Sequence, residues 1–202
     1  MAGFEEEVVR AYFESNGFLV RLAGRPPEAG KKRIGAAPTL AIFNPEVREN
    51  ANDFSFRLFT TDIGQIRAAL VSILGWESSA FSSNLLSSDA GLLKFIKMEV
   101  TSKRLDIGFS PPVALPEARM GDCLRLLVLP ALPLAESKTR EALDVIRDAG
   151  VQGVYTFRTM LENLLRSTKL SSDHAKSVPL QALRILKAYG LAKEPQLEMF
   201  GE

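Results

Sequence analysis

Leu124–Leu132, with the sequence LRLLVLPAL, is the stretch that decides the fold. Arg125 is its only charged residue, and such a nearly continuous apolar run is typical of a strand that is buried on both faces. Ser137 is expected to cap a helix over Lys138–Asp148, and Val151–Phe157 has the pattern of a second strand. A strand, a helix and a strand in succession imply parallel pairing through a right-handed crossover, so this stretch predicts an α/β fold.

Apolar periodicity and turn residues predict further elements on both sides of this stretch. Residues 64–70 fit a short helix as well as the beginning of a strand over Arg67–Trp76, and both alternatives stay open. Together the elements predict a single α/β domain over residues 1–202, with three layers in which helices flank a central mixed β-sheet. The other predicted helices cover 4–16, 90–98, 158–167 and 178–189, and the other predicted strands are Phe18–Ala23 and Thr39–Phe43.

The composition is that of an ordinary globular protein, and it excludes several classes of protein. Of the 202 residues, 46% are apolar and 24% are charged, and the net charge is +1. These values exclude a disordered tail protein, an acidic scaffold and a wholly basic nucleic-acid coat. The chain has one Cys and one His, so it forms no internal disulfide and cannot supply the four ligands of a structural zinc site.

The beginning of the chain and its hydropathy indicate where the protein acts. The first residues read MAGFEEEVVR, and three acids stand where a secretory signal peptide needs positive charge followed by an apolar stretch. No window approaches the roughly 18 uncharged apolar residues of a membrane span. A single unpaired Cys fits a reducing compartment. We therefore expect a cytoplasmic protein that does not contact a membrane.

The lone histidine and the lone cysteine are weak candidates for catalysis. His174 lies in the polar stretch SSDHAK, where a solvated or helix-capping role is expected because no nucleophile is evident beside it. Cys123 begins the apolar strand, where a buried structural thiol is expected. The phosphate-binding patterns GxxxxGK[ST] and GxGxxG are both absent, so the sequence predicts no cofactor.

Positive charge is concentrated near the end of this nearly neutral chain. Within residues 158–193, seven basic residues stand against Glu162 and Asp173, a net charge of +5. Such asymmetry fits a surface that binds nucleic acid, although a solvated helix face is the simpler interpretation. A second basic cluster, Lys31–Arg33, lies in a loop rich in Gly and Pro. The candidate contacts to nucleic acid are Arg158, Arg166, Lys169, Lys176, Arg184 and Lys187.

The order helix, strand, strand, strand, helix, strand over residues 4–132 resembles the restriction-endonuclease-like superfamily, the PD-(D/E)xK nucleases. The beginning FEEEVVRAYFESNGFLVRL, residues 4–22, is similar to the helix and strand with which those domains often begin. The resemblance implies a three-layer restriction-endonuclease-like fold. It also implies a site in which an Asp on the second strand and (D/E)xK on the third strand hold a divalent metal, while the Lys steadies the attacking water.

The chain departs from that pattern at the positions that carry the chemistry. Thr39 follows Pro38 where the family has its Asp, and Ser72 and Leu74 share a strand face where the acid and the Lys belong. Two hydroxyls and an isobutyl group cannot hold Mg²⁺. Glu5 on the first helix is the one acid that remains, and its nearness to the helix amino end accounts for it without a metal. We expect a degenerate site with no catalytic residue and no metal.

A different registration of the pattern would retain metal-dependent nuclease activity. The first acid would then be Asp53 or Asp62, and the second would be Glu99 or Asp106. The family's Lys is missing from this registration, because Thr101 stands two residues after Glu99.

The last residues of the chain resemble the bacterial sliding-clamp-binding peptide, whose common form is QLxLF. The chain ends in KEPQLEMFGE, in which Gln196, Leu197, Met199 and Phe200 match that form in type. Such a peptide carries one polar and three apolar anchors that fill a preformed pocket on a partner. Pro195 disfavours helix at the residue before it, so residues 194–202 are expected to form a flexible peptide. The alternative is that Leu197, Met199 and Phe200 pack back on the domain.

These observations predict a non-catalytic protein of nuclease-like fold. It is expected to act in bacterial DNA replication or repair, with a sliding clamp and DNA as partners and with no cofactor. Two alternatives stay open: a nuclease with a migrated carboxylate site, and a protein–protein interaction module that binds no nucleic acid.

Overall fold

The computed structural model describes residues 3–24, 37–51, 53, 55–76, 81–110, 122–171 and 177–192. Within these ranges the chain forms strands β1 (Leu19–Gly24), β2 (Thr39–Phe43), β3 (Ala68–Ile73), β4 (Leu124–Leu129) and β5 (Gly153–Thr156). The α-helices are α1 (Phe4–Ser15), α2 (Asp89–Val100), α3 (Lys103–Gly108), α4 (Glu136–Asp148), α5 (Phe157–Ser167) and α6 (Val178–Ala188), and 3-10 helices cover Thr60–Gln65 and Ser83–Ser87.

The five strands form one mixed sheet in the order β1-β2-β3-β4-β5. β2 runs antiparallel to β1 and to β3, whereas β3, β4 and β5 run parallel to one another. The parallel part follows from the strand–helix–strand succession around β4, since each parallel connection needs a crossover segment. The prediction of an α/β fold with a central mixed sheet flanked by helices is therefore confirmed.

Helices cover the sheet on both faces because the strand residues are apolar on both sides. On β3, Ala68 and Leu70 belong to the core shared with α2, α3 and α4, and Val71 and Ile73 belong to the core shared with α1 and α5. Every residue of β3 is buried, which is the pattern of a central strand in a three-layer fold.

Several predicted boundaries differ from the structure. The strand predicted over Leu124–Leu132 ends at Leu129, because the next residue is a proline, which has no N–H to donate to a sheet. The ambiguous residues 64–70 divide into the end of a 3-10 helix and the beginning of β3. Helix α3 was not predicted.

The expectation that Ser137 caps α4 is wrong. The helix begins at Glu136, and its N-cap position is Ala135, whose methyl group caps nothing. The side chain of Asp89, in the first turn of α2, accepts hydrogen bonds from the backbone N–H groups of Leu134 at 2.7 Å and Ala135 at 2.8 Å. The residues before α4 thus take their hydrogen-bond acceptor from a neighbouring helix.

A search of the described part of the chain for membrane spans found no helix with enough length and apolar character to cross a bilayer.

Candidate functional site

Thr39 and Ser72 occupy the positions where the resemblance places metal-binding carboxylates. They are direct partners across β2 and β3, and their hydroxyl oxygens lie 2.9 Å apart. The Thr39 hydroxyl also lies 3.0 Å from the carbonyl oxygen of Ala37, to which it donates. Thr39 is 2% exposed and Ser72 is fully buried. The two hydroxyls therefore satisfy each other inside the core, as buried polar groups must.

Helix α3 closes over this hydroxyl pair. A methyl group added at Gly108 would lie 2.7 Å from Oγ1 of Thr39 and 2.8 Å from Oγ of Ser72. Even a single carbon does not fit at these distances. The sheet surface above Thr39 and Ser72 is consequently packed by backbone and has no space for a hydrated metal ion.

Glu5 and Leu74 have structural roles near the same end of β3. Leu74 is 3% exposed and belongs to the core beneath α2 and α4. Glu5 is 6% exposed, and its Oε1 accepts a 2.7 Å hydrogen bond from the backbone N–H of Trp76. The chain passes tightly here, because a methyl group at Gly75 would meet the ring of Pro130 at 2.4 Å. Glu5 thus fixes the chain where it leaves β3.

The alternative carboxylates do not converge either. Asp62 accepts a hydrogen bond from the N–H of Phe59 and lies close enough to Tyr12 on α1 to affect its pKa. Glu99 is on α2, whose buried residues pack against the opposite face of the sheet. Asp53 and Asp106 are exposed. Among the described residues, no group of three or more His, Cys, Asp and Glu side chains could hold a metal ion.

A groove lies beside this site, at the carboxyl ends of β3, β4 and β5. Its walls include Trp76 after β3, Pro130 after β4 and Thr156 at the end of β5. One part has a volume of about 720 Å³ and is mainly apolar, and the other has a volume of about 540 Å³ and is lined by threonines and arginines. The carboxyl ends of parallel strands are where open α/β sheets bind their ligands. The residues shared by both parts are Arg57, Thr156, Arg158 and Glu162.

The polar part of this groove is positively charged. Arg57, Arg158 and Arg166 line it, and Glu162 is its one acidic residue within the described chain. Arg158 donates a 2.7 Å hydrogen bond to Glu162, but the Arg158 side chain remains 83% exposed. The amino end of α5 also faces the groove, and Thr156 caps it by accepting from the N–H of Thr159. The three guanidinium groups and the positive end of a helix dipole together favour an anionic ligand.

Arg57 reaches the groove through a pairing that the sequence does not reveal. The N–H of Leu58 donates to the carbonyl of Val154, and the N–H of Val154 donates to the carbonyl of Phe56, both at 2.8 Å. This bridge aligns the segment with β5. The Arg57 guanidinium lies over the ring of Phe59, 5.3 Å from its centroid, so stacking holds it at the groove.

Trp76 provides an exposed aromatic surface in the apolar part of the groove. Its side chain is 46% exposed, and its ring packs edge-on against Phe81, with 4.7 Å between the centroids. Phe81 in turn contacts the buried Phe95 on α2. The indole is therefore supported by Phe81, while much of its surface remains accessible to solvent. A lone Trp directly after a glycine at a predicted strand end was the only signal of this in the sequence.

The candidate basic residues divide into two groups. Arg158 and Arg166 line the groove, and Lys169 is exposed beyond the end of α5. Lys187 instead donates to the carbonyls of Leu165 and Thr168, at 3.1 and 2.9 Å, and Arg184 donates to that of Leu170 at 3.0 Å. These two side chains fasten α6 to the carboxyl end of α5. Lys176, His174, Lys31–Arg33 and the peptide Gln196–Phe200 lie outside the described residues.

Three buried ionisable side chains are poor candidates for catalysis. Burial raises the pKa of the Cys123 thiol, and the Asp122 carboxylate raises it further, so little thiolate exists near neutral pH. Tyr12 and Tyr155 are fully buried against each other, with 5.8 Å between their ring centroids. Burial raises the pKa of both phenols, so both stay protonated.

Comparison of the chain with protein-family models, with curated proteins and with solved structures found no match.

Proposed function

We propose that the chain is a non-catalytic DNA-binding accessory protein of restriction-endonuclease-like fold, which acts in the bacterial cytoplasm and is tethered to a sliding clamp through Gln196–Phe200. The element order supports the fold assignment, because α1, β1, β2, β3, α2 and β4 follow one another as the resemblance requires. The short helix α3 is an addition to that order.

The observation that carries the proposal is the buried hydroxyl pair of Thr39 and Ser72. At the place where a nuclease of this family would expose two carboxylates to a metal, these hydroxyls lie 2.9 Å apart beneath Gly108. Hydroxyls that are satisfied by each other and shielded from solvent cannot polarise a phosphate or activate water. A binding role is retained by the arginine-lined groove at the same end of β3.

The catalytic part of the proposal is tested by incubating the protein with supercoiled plasmid and with branched DNA in the presence of Mg²⁺ or Mn²⁺. We expect no cleavage at any protein concentration that saturates binding. Metal-dependent cleavage that copurifies with the protein and is lost in a Glu99→Ala variant would establish the migrated carboxylate site instead.

The tether is tested by surface binding of an immobilised bacterial sliding clamp. We expect the full chain to bind, and we expect a chain truncated after Glu194 to lose that binding. A Phe200→Ala variant should lose it as well, because the peptide then lacks one of its apolar anchors. A Glu202→Gln variant, which changes the tail outside the motif, is the matched control. Equal binding by the full and truncated chains rejects the tether.

A second candidate, a protein–protein interaction module, is favoured by the apolar face of α6. Val178, Ile185 and Tyr189 lie on one stripe of this helix and are 68%, 54% and 78% exposed. An exposed apolar stripe of this kind is typical of a surface that binds another protein. Absence of DNA binding at low salt would leave this candidate as the better one.

A further inference from the structure

We infer that the groove between Trp76 and Arg166 binds a single-stranded segment of DNA, with a base stacked on Trp76 and phosphates on the arginines. This inference rests on the proposed DNA-binding function and specifies which form of DNA is bound and where. Two features of the groove support the inference. One is an exposed aromatic ring that is packed in place, and the other is a positively charged region at the opposite end of the groove.

The first feature is the indole of Trp76. Its backbone N–H is fixed by Glu5, and its ring is supported by Phe81, yet 46% of the side chain is exposed. Leu86 and Leu134, which also line this part of the groove, are 42% and 91% exposed. A rigid aromatic ring among exposed apolar side chains can stack with any base, because every base has a flat π-face. A base is available for such stacking only where it is unpaired.

The second feature is the charge at the other end of the groove. Arg57, Arg158 and Arg166 against Glu162 leave a net charge of +2 in the lining. The exposed Thr61 lines the same part, and its hydroxyl can donate a hydrogen bond to a ligand. Guanidinium groups and hydroxyls are the usual protein contacts to DNA phosphates. A sugar–phosphate backbone carries the negative charge that complements this positive lining.

The size of the groove favours a single strand over a duplex. Its two parts, of about 720 and 540 Å³, are in the range of sites for small molecules, and both include Arg57 and Arg158 in their walls. Adjacent parts of this size, with shared walls, accommodate on the order of one nucleotide each. The bases of a duplex are already stacked and could not reach Trp76.

The experiment uses the intrinsic fluorescence of Trp76, the only tryptophan of the chain. The full-length protein is titrated with a short oligothymidylate and, separately, with a duplex of equal length at about 50 mM salt. We expect the single strand to quench the fluorescence and to bind more tightly than the duplex. In anisotropy measurements with labelled oligothymidylate, Trp76→Leu should weaken binding by at least about fivefold, because stacking of one base is lost.

Two charge variants separate a specific groove from general attraction. Arg57→Gln and Arg166→Gln should each weaken binding of the single strand while leaving the circular dichroism spectrum unchanged. The matched control is Lys94→Gln, which removes one positive charge from an exposed position on α2, on the other face of the sheet. We expect this control to bind as the unchanged protein does.

The outcomes separate the inference from the proposed function. Failure to bind either form of DNA would overturn both. Equal binding of duplex and single strand, unaffected by Trp76→Leu and Arg57→Gln, would overturn the inference and leave DNA binding intact. A free mononucleotide that quenches Trp76 at lower concentrations than the oligothymidylate would also overturn it, since the ligand would then be a small nucleotide.

Discussion

At the scale of single residues, Thr39 and Ser72 form a buried pair of hydroxyls that satisfy each other and leave the sheet well packed. A buried carboxylate needs a metal or a positive partner to offset its desolvation, whereas two hydroxyls satisfy each other. The 2.9 Å contact between them is part of the core, and Gly108 rests directly on it. Uncharged hydroxyls are thus suited to a closed sheet surface at this position.

Restoring an acid at this position should therefore destabilise the protein. We expect Ser72→Asp to lower the free energy of unfolding by more than about 3 kcal/mol, because the new carboxylate is buried without a cation. Ser72→Ala, the control, loses only the hydrogen bond to Thr39 and should cost about 1 kcal/mol. Urea unfolding measures both. If Ser72→Asp is as stable as the unchanged protein and is stabilised further by added Mg²⁺, the closed geometry is contradicted.

The contact of Gly108 with the hydroxyl pair gives a second test. Gly108→Ala places a methyl group 2.7 and 2.8 Å from two oxygen atoms, so we expect overpacking to lower stability by about 1–3 kcal/mol. The control is Gly64→Ala, because an added methyl group there meets nothing within 4 Å. Thermal and urea unfolding of both variants check the prediction. Equal stability of the two variants would show that α3 does not rest on the pair.

At the scale of secondary-structure elements, Asp89 links two helices that pack on the same face of the sheet. It lies in the first turn of α2, and its carboxylate accepts from the two N–H groups that precede α4. The backbone N–H groups of Leu134 and Ala135 lower the pKa of this carboxyl below its ordinary value of 3.8. The folded structure therefore favours the ionised form of the Asp89 carboxyl.

The direction of this pKa shift predicts how the contribution of Asp89 depends on pH. A carboxyl with a lowered pKa in the folded state stabilises the protein above its ordinary pKa of 3.8 and loses that effect as the pH falls through the lowered value. We expect Asp89→Ala to be less stable than the unchanged protein at about pH 6, with the difference shrinking as the pH falls below the ordinary pKa of 3.8. Asp144→Asn, an exposed control on α4, should change stability by less than about 0.5 kcal/mol. A difference that is constant with pH would contradict this role.

The positive charge of Lys187 holds two helices together and does not serve to bind a ligand. Its ammonium group donates to two carbonyls near the end of α5, a position that a helix dipole also favours for a cation. We expect Lys187→Met to lower stability by about 1–2 kcal/mol and to change DNA affinity by less than about twofold. Arg166→Gln should show the reverse pattern. If Lys187→Met loses DNA affinity without losing stability, Lys187 belongs to the DNA-binding surface.

The sequence predicted most elements because their signals are local. β2 was predicted with the bounds that the structure has, and α5, predicted over 158–167, covers Phe157–Ser167. What it missed depends on contacts between distant parts of the chain. Asp89 reaches the beginning of α4 from another helix, and Arg57 reaches the groove by pairing beside β5. The positive charge of residues 158–193 was counted correctly, but Lys187 is engaged in holding α6.

At the scale of the whole molecule, the hydroxyl pair and the proposed DNA-binding groove lie at one end of the sheet. The hydroxyl pair, Glu5 and Trp76 all lie near the carboxyl end of β3, and the groove extends from there past β4 to β5. Closure of the sheet surface by α3 leaves this groove as the opening at that end within the described chain. The residues of the hydroxyl pair and those of the groove are different, so substitutions can test the two regions separately.

The small net charge of the molecule makes the salt dependence of DNA binding a test of where the phosphates are bound. With a net charge of +1, the protein has little long-range attraction for DNA, so phosphate contacts must be local. Three arginines contacting a single strand predict a slope of about −2 for the logarithm of the binding constant against that of the salt concentration. Arg57→Gln should reduce its magnitude to about 1.4, and Lys94→Gln should leave it unchanged. A magnitude near 5 would require contacts across the whole basic segment 158–193, and a slope of zero would exclude phosphate contacts.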